Sequence, residues 1–420
     1  MIEKARAFCV KEGMIALWAL IGLGIGIIAG ALDFVFASGL QLCTQLRREY
    51  LWLLVPFLAL AGVLIVWLYR RFGRHAQRGM SLVFALAQGD EQEGELRLIP
   101  LLTLSTWLSH LFGGSVGREG VAVQINAMMA QFCARWIALP DASRMLTLTG
   151  MAAGFGGLFQ TPLAATFFAL EVVTPGRLRL EALAPALSAS FSACLCSGML
   201  GLRRSVFAFD LPFSLPLLGP LTLSGIAFGL CGMIFSAALA AAKRWLAQRL
   251  PRPEIRIFFC GALLSMLILL LHQGRYAGLG TNLIEAGLNG GPLFWYDWLV
   301  KGALTVFTLS AGFQGGEVTP LFSIGVALGA LLGPCLGLPA AAAAALGYAS
   351  VFGAASNTLL APILIGAELF GLESLPCFMI CAVCAYLANG GRSIYPQRRE
   401  SGFSGAETAI SGHRQKKIDK

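Results

Sequence analysis

The sequence runs to 420 residues, 57% of them hydrophobic and 13% charged, with a mean hydropathy of +0.73 and a formal net charge of +9. A soluble domain carries about 25% charged residues, so this composition excludes one and points to a polytopic membrane protein. The basic excess sits in short loops and tails (Arg47-Arg48, Arg70-Arg71 with Arg74 and Arg78, Lys243-Arg244, Arg398-Arg399, Lys416-Lys417), where it orients spans and meets anionic headgroups rather than nucleic acid.

Taken in order, residues 1–13 form a short polar start. Apolar runs over 14–43 and 51–69 read as long spans separated by 44–50. The first is too long for a signal-peptide core and no small-residue cleavage site follows it, so no processing is expected. The second ends in Arg70-Arg71-Phe72-Gly73-Arg74-His75, a basic boundary that assigns this side, and the N-terminus with it, to the cytoplasm. Residues 79–94 are too short and too polar to span, and an acidic group follows the apolar part: Asp90, Glu91, Glu93 and Glu95. Apolar segments resume at 98–112, 120–136, 145–173, 181–200, 216–246, 255–272, 295–311, 320–338, 340–352, 359–372 and 376–387. Several fall short of the ~20 residues a crossing helix needs. Their glycine-rich ends mark them as discontinuous or re-entrant helices, tolerated only when buried in protein or lining a cavity. Residues 396–420 are a polar, basic tail. Cysteines are scattered through apolar segments, and Cys381-Ala382-Val383-Cys384, although redox-spaced, reads as helix packing.

One stretch breaks the apolar pattern: Gly113-Gly114-Ser115-Val116-Gly117-Arg118-Glu119-Gly120-Val121-Ala122-Val123-Gln124. A charged side chain at mid-membrane costs roughly 2.5–3.5 kcal/mol on insertion scales, so such residues persist where they have a task. The glycines let backbone N–H groups approach a ligand, and Glu119 onward reads as the opening of a helix, whose N-terminus attracts an anion. The pattern returns about 200 residues later. The segment from Gly79 to Gly89 has a counterpart from Gly280 to Gly290, Gly117-Arg118-Glu119 in Gly315-Gly316-Glu317, and Gln160-Thr161-Pro162-Leu163 in Leu360-Ala361-Pro362-Ile363. Two weakly similar halves, about 14–205 and 216–395, with interrupted segments at matching positions point to a transporter whose site lies at the repeat interface. The second half is the less regular. The spacing from Pro162 to Glu171 predicts an acid where Gly371 stands, with Glu368 nearby.

Helix N-termini converging at mid-membrane from the turns at Gly79, Gly117 and Gly316 would hold an anion without a full positive charge. With no dense Lys/Arg cluster in the apolar segments, a small monovalent anion is favoured. Glu119 and Glu317 are then the informative pair. A carboxylate at such N–H groups mimics the anion and competes with it; once protonated it leaves and opens the path, which links anion to proton movement. Burial can raise a glutamate's pKa to ~8–9, within reach of neutral pH. Plainer alternatives are that Glu119 pairs with Arg118, which helical spacing disfavours, and that Glu317 only caps a re-entrant turn. Glu171 and Glu368, ending apolar runs, read as structural or interfacial. Gln124 and Asn126 read as substrate contacts or helix ties, and His110 and His272 as packed or interfacial rather than ligands. No His/Cys/Asp set has metal spacing and no nucleophile elbow or Walker sequence occurs, so no metal, cofactor or enzymatic centre is implied.

The stretches from Gly117 to Gln124, Gly315-Gly316-Glu317-Val318-Thr319-Pro320, and Gly154-Phe155-Gly156-Gly157-Leu158-Phe159-Gln160-Thr161-Pro162-Leu163 resemble the signatures of the CLC chloride channel and transporter family, over about residues 14–395. The resemblance implies an all-α integral membrane protein with an inverted two-fold repeat of many tilted and re-entrant helices. It further implies one transport domain over 1–395 and a homodimer with a pathway in each subunit. Glu119 would be the external gating glutamate, with Gly117, Arg118, Gly120 and Val318 around the anion path. Three departures carry information. Met80, in Gly79-Met80-Ser81-Leu82-Val83, replaces the serine of the Gly-Ser-Gly-Ile-Pro that chloride-selective members carry. Gly316-Glu317-Val318-Thr319-Pro320 stands where they read Gly-Gly-Ile/Phe-x-Pro, and Val172 takes the place of the exchangers' internal proton-pathway glutamate. That pattern is similar to the fluoride branch, which exports fluoride in exchange for protons, and it implies that Thr319 and Tyr395 line the inner anion site.

Fluoride is small and tightly hydrated and needs close N–H or O–H donors, which Thr319 and Tyr395 can supply; the thioether of Met80 offers none. The expectation is therefore a multi-pass fluoride/proton antiporter of the cell (inner) membrane with both termini cytoplasmic. Its partners would be fluoride, protons, the lipid bilayer and a second copy. Glu317 and Thr319 are candidates for the inward half of the transfer. A chloride channel or chloride/proton exchanger is the alternative, opposed by Met80 and Val172. A membrane-embedded enzyme or assembly subunit would need a nucleophile or metal constellation that the sequence lacks.

Overall fold

A backbone that crosses lipid must satisfy its own N–H and C=O groups, so apolar sequence of this length becomes helix. The computed structural model describes residues 2–73, 79–91, 94–139, 141–203, 207 and 211–398, with side chains from residue 12 onward. Arg74, His75, Arg78, Glu93 and the tail beyond Arg398 lie outside the described residues. The first half comprises α1 (Ile2–Glu49), α2 (Leu51–Leu54), a 3-10 turn at Val55–Phe57, α3 (Leu58–Phe72), α4 (Met80–Gln88), α5 (Leu98–Leu111), α6 (Glu119–Cys133), α7 (Ala142–Phe159), α8 (Pro162–Glu171) and α9 (Leu183–Met199). The second comprises α10 (Leu218–Arg249), α11 (Pro253–Leu270), α12 (Thr281–Leu288), α13 (Asp297–Ala311), α14 (Val318–Cys335), α15 (Ala340–Ser356), α16 (Leu360–Phe370) and α17 (Leu375–Ala388). Among the described residues no strand forms. The predicted separator at 44–50 shrinks to Tyr50, because Thr44 returns its hydroxyl to Leu40 O and the polar residues after it continue the helix.

Among the described residues six stretches are long and apolar enough to cross a membrane, including Glu12–Glu49, Leu51–Phe72, Leu215–Arg249 and Pro253–Leu270. These present exposed Leu, Ile and Phe outward, including Leu20, Leu60, Ile234 and Phe259. Shorter helices such as α6, α8, α15 and α16 are enclosed by them, which is where interrupted helices are tolerated. Small residues set how closely they pack. A Cβ on Gly325 of α14 would stand 2.1 Å from Gly347 O of α15, and one on Gly225 of α10 would stand 2.7 Å from Cys384 Cβ. The Cys381–Cys384 turn is thus pressed against α10, in keeping with packing.

The two halves match helix for helix, and the structure corrects their register. Gly117 and Gly316 form an antiparallel bridge, α6 begins after Arg118 and α14 after Glu317. The offset here is 199 (316 less 117), which pairs Glu317 with Arg118 rather than with Glu119. Further on, Gln160 and Asn357 each end a helix in the left-handed conformation, an offset of 197 (357 less 160). Glu368 follows Glu171 by the same 197, so it is the counterpart that the proline-based spacing placed at Gly371. Its function is also reciprocal. The Glu171 carboxylate accepts the N–H groups of Leu359, Leu360 and Ala361 at the start of α16, and Glu368 accepts those of Leu163 and Ala164 at the start of α8. Each acid meets the positive end of the other's helix. This is the structural role expected for both.

Candidate functional site

Two glycine turns build the centre. Gly117 N–H donates to Gly316 O at 2.5 Å and Gly316 N–H to Gly117 O at 2.9 Å, which sets the N-termini of α6 and α14 face to face. Only glycine permits this approach: a Cβ on Gly117 would lie 2.7 Å from Pro320 Cδ and 2.9 Å from Gly316 O. The N-terminus of α4 comes to the same place. Gly79, with φ +50°, turns the chain so that Met80 opens the helix. A Cβ on Gly120 would stand 3.7 Å from Met80 Cε, 3.7 Å from Glu317 Oε2 and 3.5 Å from Gly316 Cα. Met80, Gly120 and Glu317 therefore enclose one small space. Gln124 donates to Gly120 O at 3.1 Å, while its Oε1 is buried without a partner.

Glu119 opens α6 and is 1% exposed. Its Oε2 accepts the Thr319 N–H at 3.1 Å, the Thr319 hydroxyl, and the Arg118 N–H at 3.3 Å. The carboxylate thus crosses the repeat axis and occupies the N-terminal donors of α14, where an anion is favoured. Arg118 Nε also lies 3.5 Å from Glu119 Oε1, so the neighbouring arginine does face it. The helical-spacing argument against that pairing fails because Arg118, with φ −132°, is the N-cap and stands outside the helix. The contact is long and Arg118 is half-buried, so it is the weaker of the two holds.

A cavity of about 100 Å³ opens beside this carboxylate, lined by Arg118, Glu119, Thr319, Tyr348, Thr281 and Glu285 among others. A second, of about 270 Å³, is lined by Tyr395, Ser393, Gln397, Arg392 and Ser236 among others. Thr319 and Tyr395, expected to line one site, thus open onto different cavities. Tyr395 is buried, its ring stacks on Phe84 with centroids 5.5 Å apart, and its hydroxyl has no partner. The rings of Phe168, Phe155, Phe159, Phe322 and Tyr348 follow one another at 4.1–5.4 Å, from Tyr348 on the first cavity to Phe168, 6.1 Å from the Tyr395 ring on the second. Glu317 caps α14 without a side-chain cap bond, Val318 is buried behind it, and Val172 is buried with its carbonyl taken by Gln397.

Other polar residues resolve into ties. Asn126 donates to Asp33 Oδ1 at 2.7 Å and to Ala122 O, joining α6 to α1. His110 bonds Thr106 O one turn back, and His272 stacks on Phe294 and meets the Tyr296 hydroxyl. Asp33 and Lys301 go unnoticed in the sequence, and Arg47, expected in a short loop at the headgroups, lies in α1; all three are buried. The available signal was a charge inside or beside an apolar run, which averaged hydropathy hides.

The voltage gated chloride channel family model matches residues 61–390. A chloride/fluoride channel protein of Pseudomonas syringae pv. tomato is 34% identical over 395 residues, covering 92% of this chain and 87% of its own. The crystal structure of a CLC-type fluoride/proton antiporter superposes with a TM-score of 0.90 at 46% identity, covering 91% of this chain and 98% of that one. A slow cyanobacterial Cl-/H+ antiporter superposes at 0.76 with 23% identity, covering 90% and 96%, and shares the fold.

Proposed function

The chain belongs to the voltage gated chloride channel family, and we propose that within it the protein is an antiporter that expels fluoride in exchange for protons. The observation that carries this reading is the Glu119 carboxylate on the Thr319 N–H and hydroxyl: a side-chain anion occupies the donors a transported anion would use. Protonation of Glu119 removes its charge and its claim on those donors. Fluoride then takes the N–H and O–H groups, and the proton leaves with the side chain on the opposite side. Met80 at the head of α4 gives no donor where a larger halide would need one, and the space between Met80, Gly120 and Glu317 is small. Glu317, counterpart of Arg118 by the bridge register, supplies a second carboxylate beside Gly120 and Met80. Tyr395 lines the second cavity. The similarity to a CLC-type fluoride/proton antiporter supports the same reading.

The description of the Pseudomonas relative as a channel favours a second reading, passive anion conduction. The two differ in whether protons move. Purified protein is reconstituted into liposomes loaded with fluoride or chloride under an opposing proton gradient, and both fluxes are recorded for wild type and Glu119→Gln. Antiport requires fluoride efflux faster than chloride efflux, proton uptake in wild type, and loss of that uptake in Glu119→Gln. Fluoride efflux with no proton flux in wild type establishes the channel, and equal chloride efflux overturns the selectivity.

The same proposal takes the cell's inner membrane as the location, with both termini cytoplasmic. Arg70 and Arg71 close α3, and Lys243 and Arg244 stand in the last turns of α10; basic residues flanking spans in this way support a cytoplasmic side. Two copies with independent pathways, and one transport domain over 1–395, complete it.

A further inference from the structure

Lys301, in α13, is 0% exposed, and none of its partners is a carboxylate. Its ammonium donates to Gly278 O at 2.6 Å, Ser115 Oγ at 2.9 Å and Tyr276 O at 3.1 Å. Ser115 Oγ in turn meets Thr305 Oγ1, one turn along α13, at 3.1 Å. Arg47 is 5% exposed and donates to His110 O, and a Cβ on Gly278 would stand 2.9 Å from its guanidinium. Among the described residues, no carboxylate lies within ion-pair distance of either cation. Two buried basic side chains therefore have only neutral oxygens as partners.

Their position is informative. Lys301 fastens the loop that leads through Ser115 to Gly117 and Glu119. It also fastens the loop that leads through Gly278 to Gly280, the N-cap of α12, and Gly278 N–H donates to Gly114 O at 3.0 Å. A Cβ on Gly280 would stand 2.9 Å from Lys301 Cε and 2.7 Å from Ser323 Oγ, and Ser323 is one turn beyond Thr319 on α14. Thr281, next in α12, lines the cavity beside Glu119. Lys301 packs against Gly280, the residue before the lining Thr281, and does not itself line that cavity. Burying a cation without a carboxylate is costly, and in a low-dielectric interior its field is neither screened by salt nor cancelled by a partner.

We propose that Lys301 is a positioning residue for transport. Its fixed charge, held by Ser115 and two carbonyls behind the Glu119 cavity, sets the affinity for the monovalent anion without contacting it. This rests on the anion-transport reading. A uniform positive potential attracts fluoride and chloride alike, so it acts on affinity, while preference and proton coupling remain with Glu119, Thr319 and Met80.

The test measures fluoride efflux from liposomes against internal fluoride concentration for wild type, Lys301→Met, Ser115→Asp and Ser115→Asn. Ser115→Asp places a carboxylate against the ammonium and cancels its charge while keeping the lysine; Ser115→Asn is its neutral isostere. Lys301→Met and Ser115→Asp are expected to raise the half-saturating fluoride concentration about tenfold or more with the maximal rate largely kept. Ser115→Asn should change it less than about threefold, and the proton-to-fluoride ratio should hold in all. Equal effects of Ser115→Asp and Ser115→Asn, or a lowered maximal rate with unchanged half-saturation, overturn the proposal. Should Lys301→Met not fold, the Ser115 pair decides alone. Failure of wild type to transport any anion overturns the parent reading instead.

Discussion

Replacing Thr319 by valine tests the central contact most directly. Valine keeps the shape of the side chain and leaves the backbone N–H donating to Glu119 Oε2 at 3.1 Å, but it deletes the hydroxyl bond to the same oxygen. A hydrogen bond to an ionised group contributes ~1.5–3 kcal/mol, and each ~1.4 kcal/mol is a factor of ten in an equilibrium. Occupancy of the α14 N-terminus by the Glu119 carboxylate should therefore fall roughly 10- to 150-fold relative to the vacated state. Arg118, at 3.5 Å and 26% exposed, contributes no more than ~1 kcal/mol, so Arg118→Gln should have much the smaller effect. If the seated carboxylate is what blocks the path, a weaker seat lets fluoride pass without its proton. The assay is simultaneous fluoride and proton flux from liposomes under voltage clamp by potassium and valinomycin. Thr319→Val should raise the fluoride-to-proton ratio, and Thr319→Ser should keep the wild-type ratio. A wild-type ratio in Thr319→Val, or additive effects of Thr319→Val and Glu119→Gln in a double-mutant cycle, would refute the reasoning.

Glu171→Gln and Glu368→Gln each remove a charge from the start of the partner helix. Each should lower stability by about 1–2 kcal/mol in detergent melts while leaving the fluoride-to-proton ratio unchanged. Gly120→Ala meets only ordinary contacts at 3.5–3.7 Å, so it should fold like wild type in melting and gel filtration, yet slow fluoride efflux by filling the space between Met80 and Glu317. Gly117→Ala meets Pro320 Cδ and Gly316 O at 2.7 and 2.9 Å, and should instead lower the melting temperature and yield. Asp297, fully buried, accepts from Arg275 at 2.7 Å, the Tyr276 hydroxyl at 2.6 Å and the Phe294 N–H at 2.9 Å. Asp297→Asn should cost about 3 kcal/mol in the same melts.

Local chemistry was legible in the residues and long-range pairing was not. That a helix opens at Glu119, that short glycine-headed segments re-enter, and that the chain repeats itself all follow from spacing within a few residues. What Glu119 bonds to does not, because Thr319 is 200 residues away and nothing in either string names the other. The register of the repeat was misread for a physical reason. Proline and glycine mark where helices start, whereas the acids at Glu171 and Glu368 are fixed by the helix ends they cap, and those lie 197 residues apart while Pro162 and Pro362 do not. The pairing of Arg118 with Glu119 is disfavoured only by a rule for residues inside a helix, and Arg118 stands just before one. Lys301 was passed over because a single lysine barely lowers the hydropathy of an apolar run.

The corrected register bears on how two helix ends that mirror each other come to differ in what they can do. If Glu317 were the counterpart of Glu119, the turns would present equivalent carboxylates, each able to cross to the other helix. The bridge between Gly117 and Gly316 instead sets Glu119 against Val318 and Gly120 against Thr319. Glu119 crosses to the donors of Thr319, but Val318 has nothing to send back, and Gly120 offers no hydroxyl to receive it. Glu317 sits at the cap position, beside the space at Gly120 rather than on the donors of α6. The repeat contributes matched backbone donors on both sides, while its side chains allow one carboxylate to compete for them. A single competitor at a single set of donors makes anion and carboxylate mutually exclusive there, the condition that the proposed coupled exchange requires.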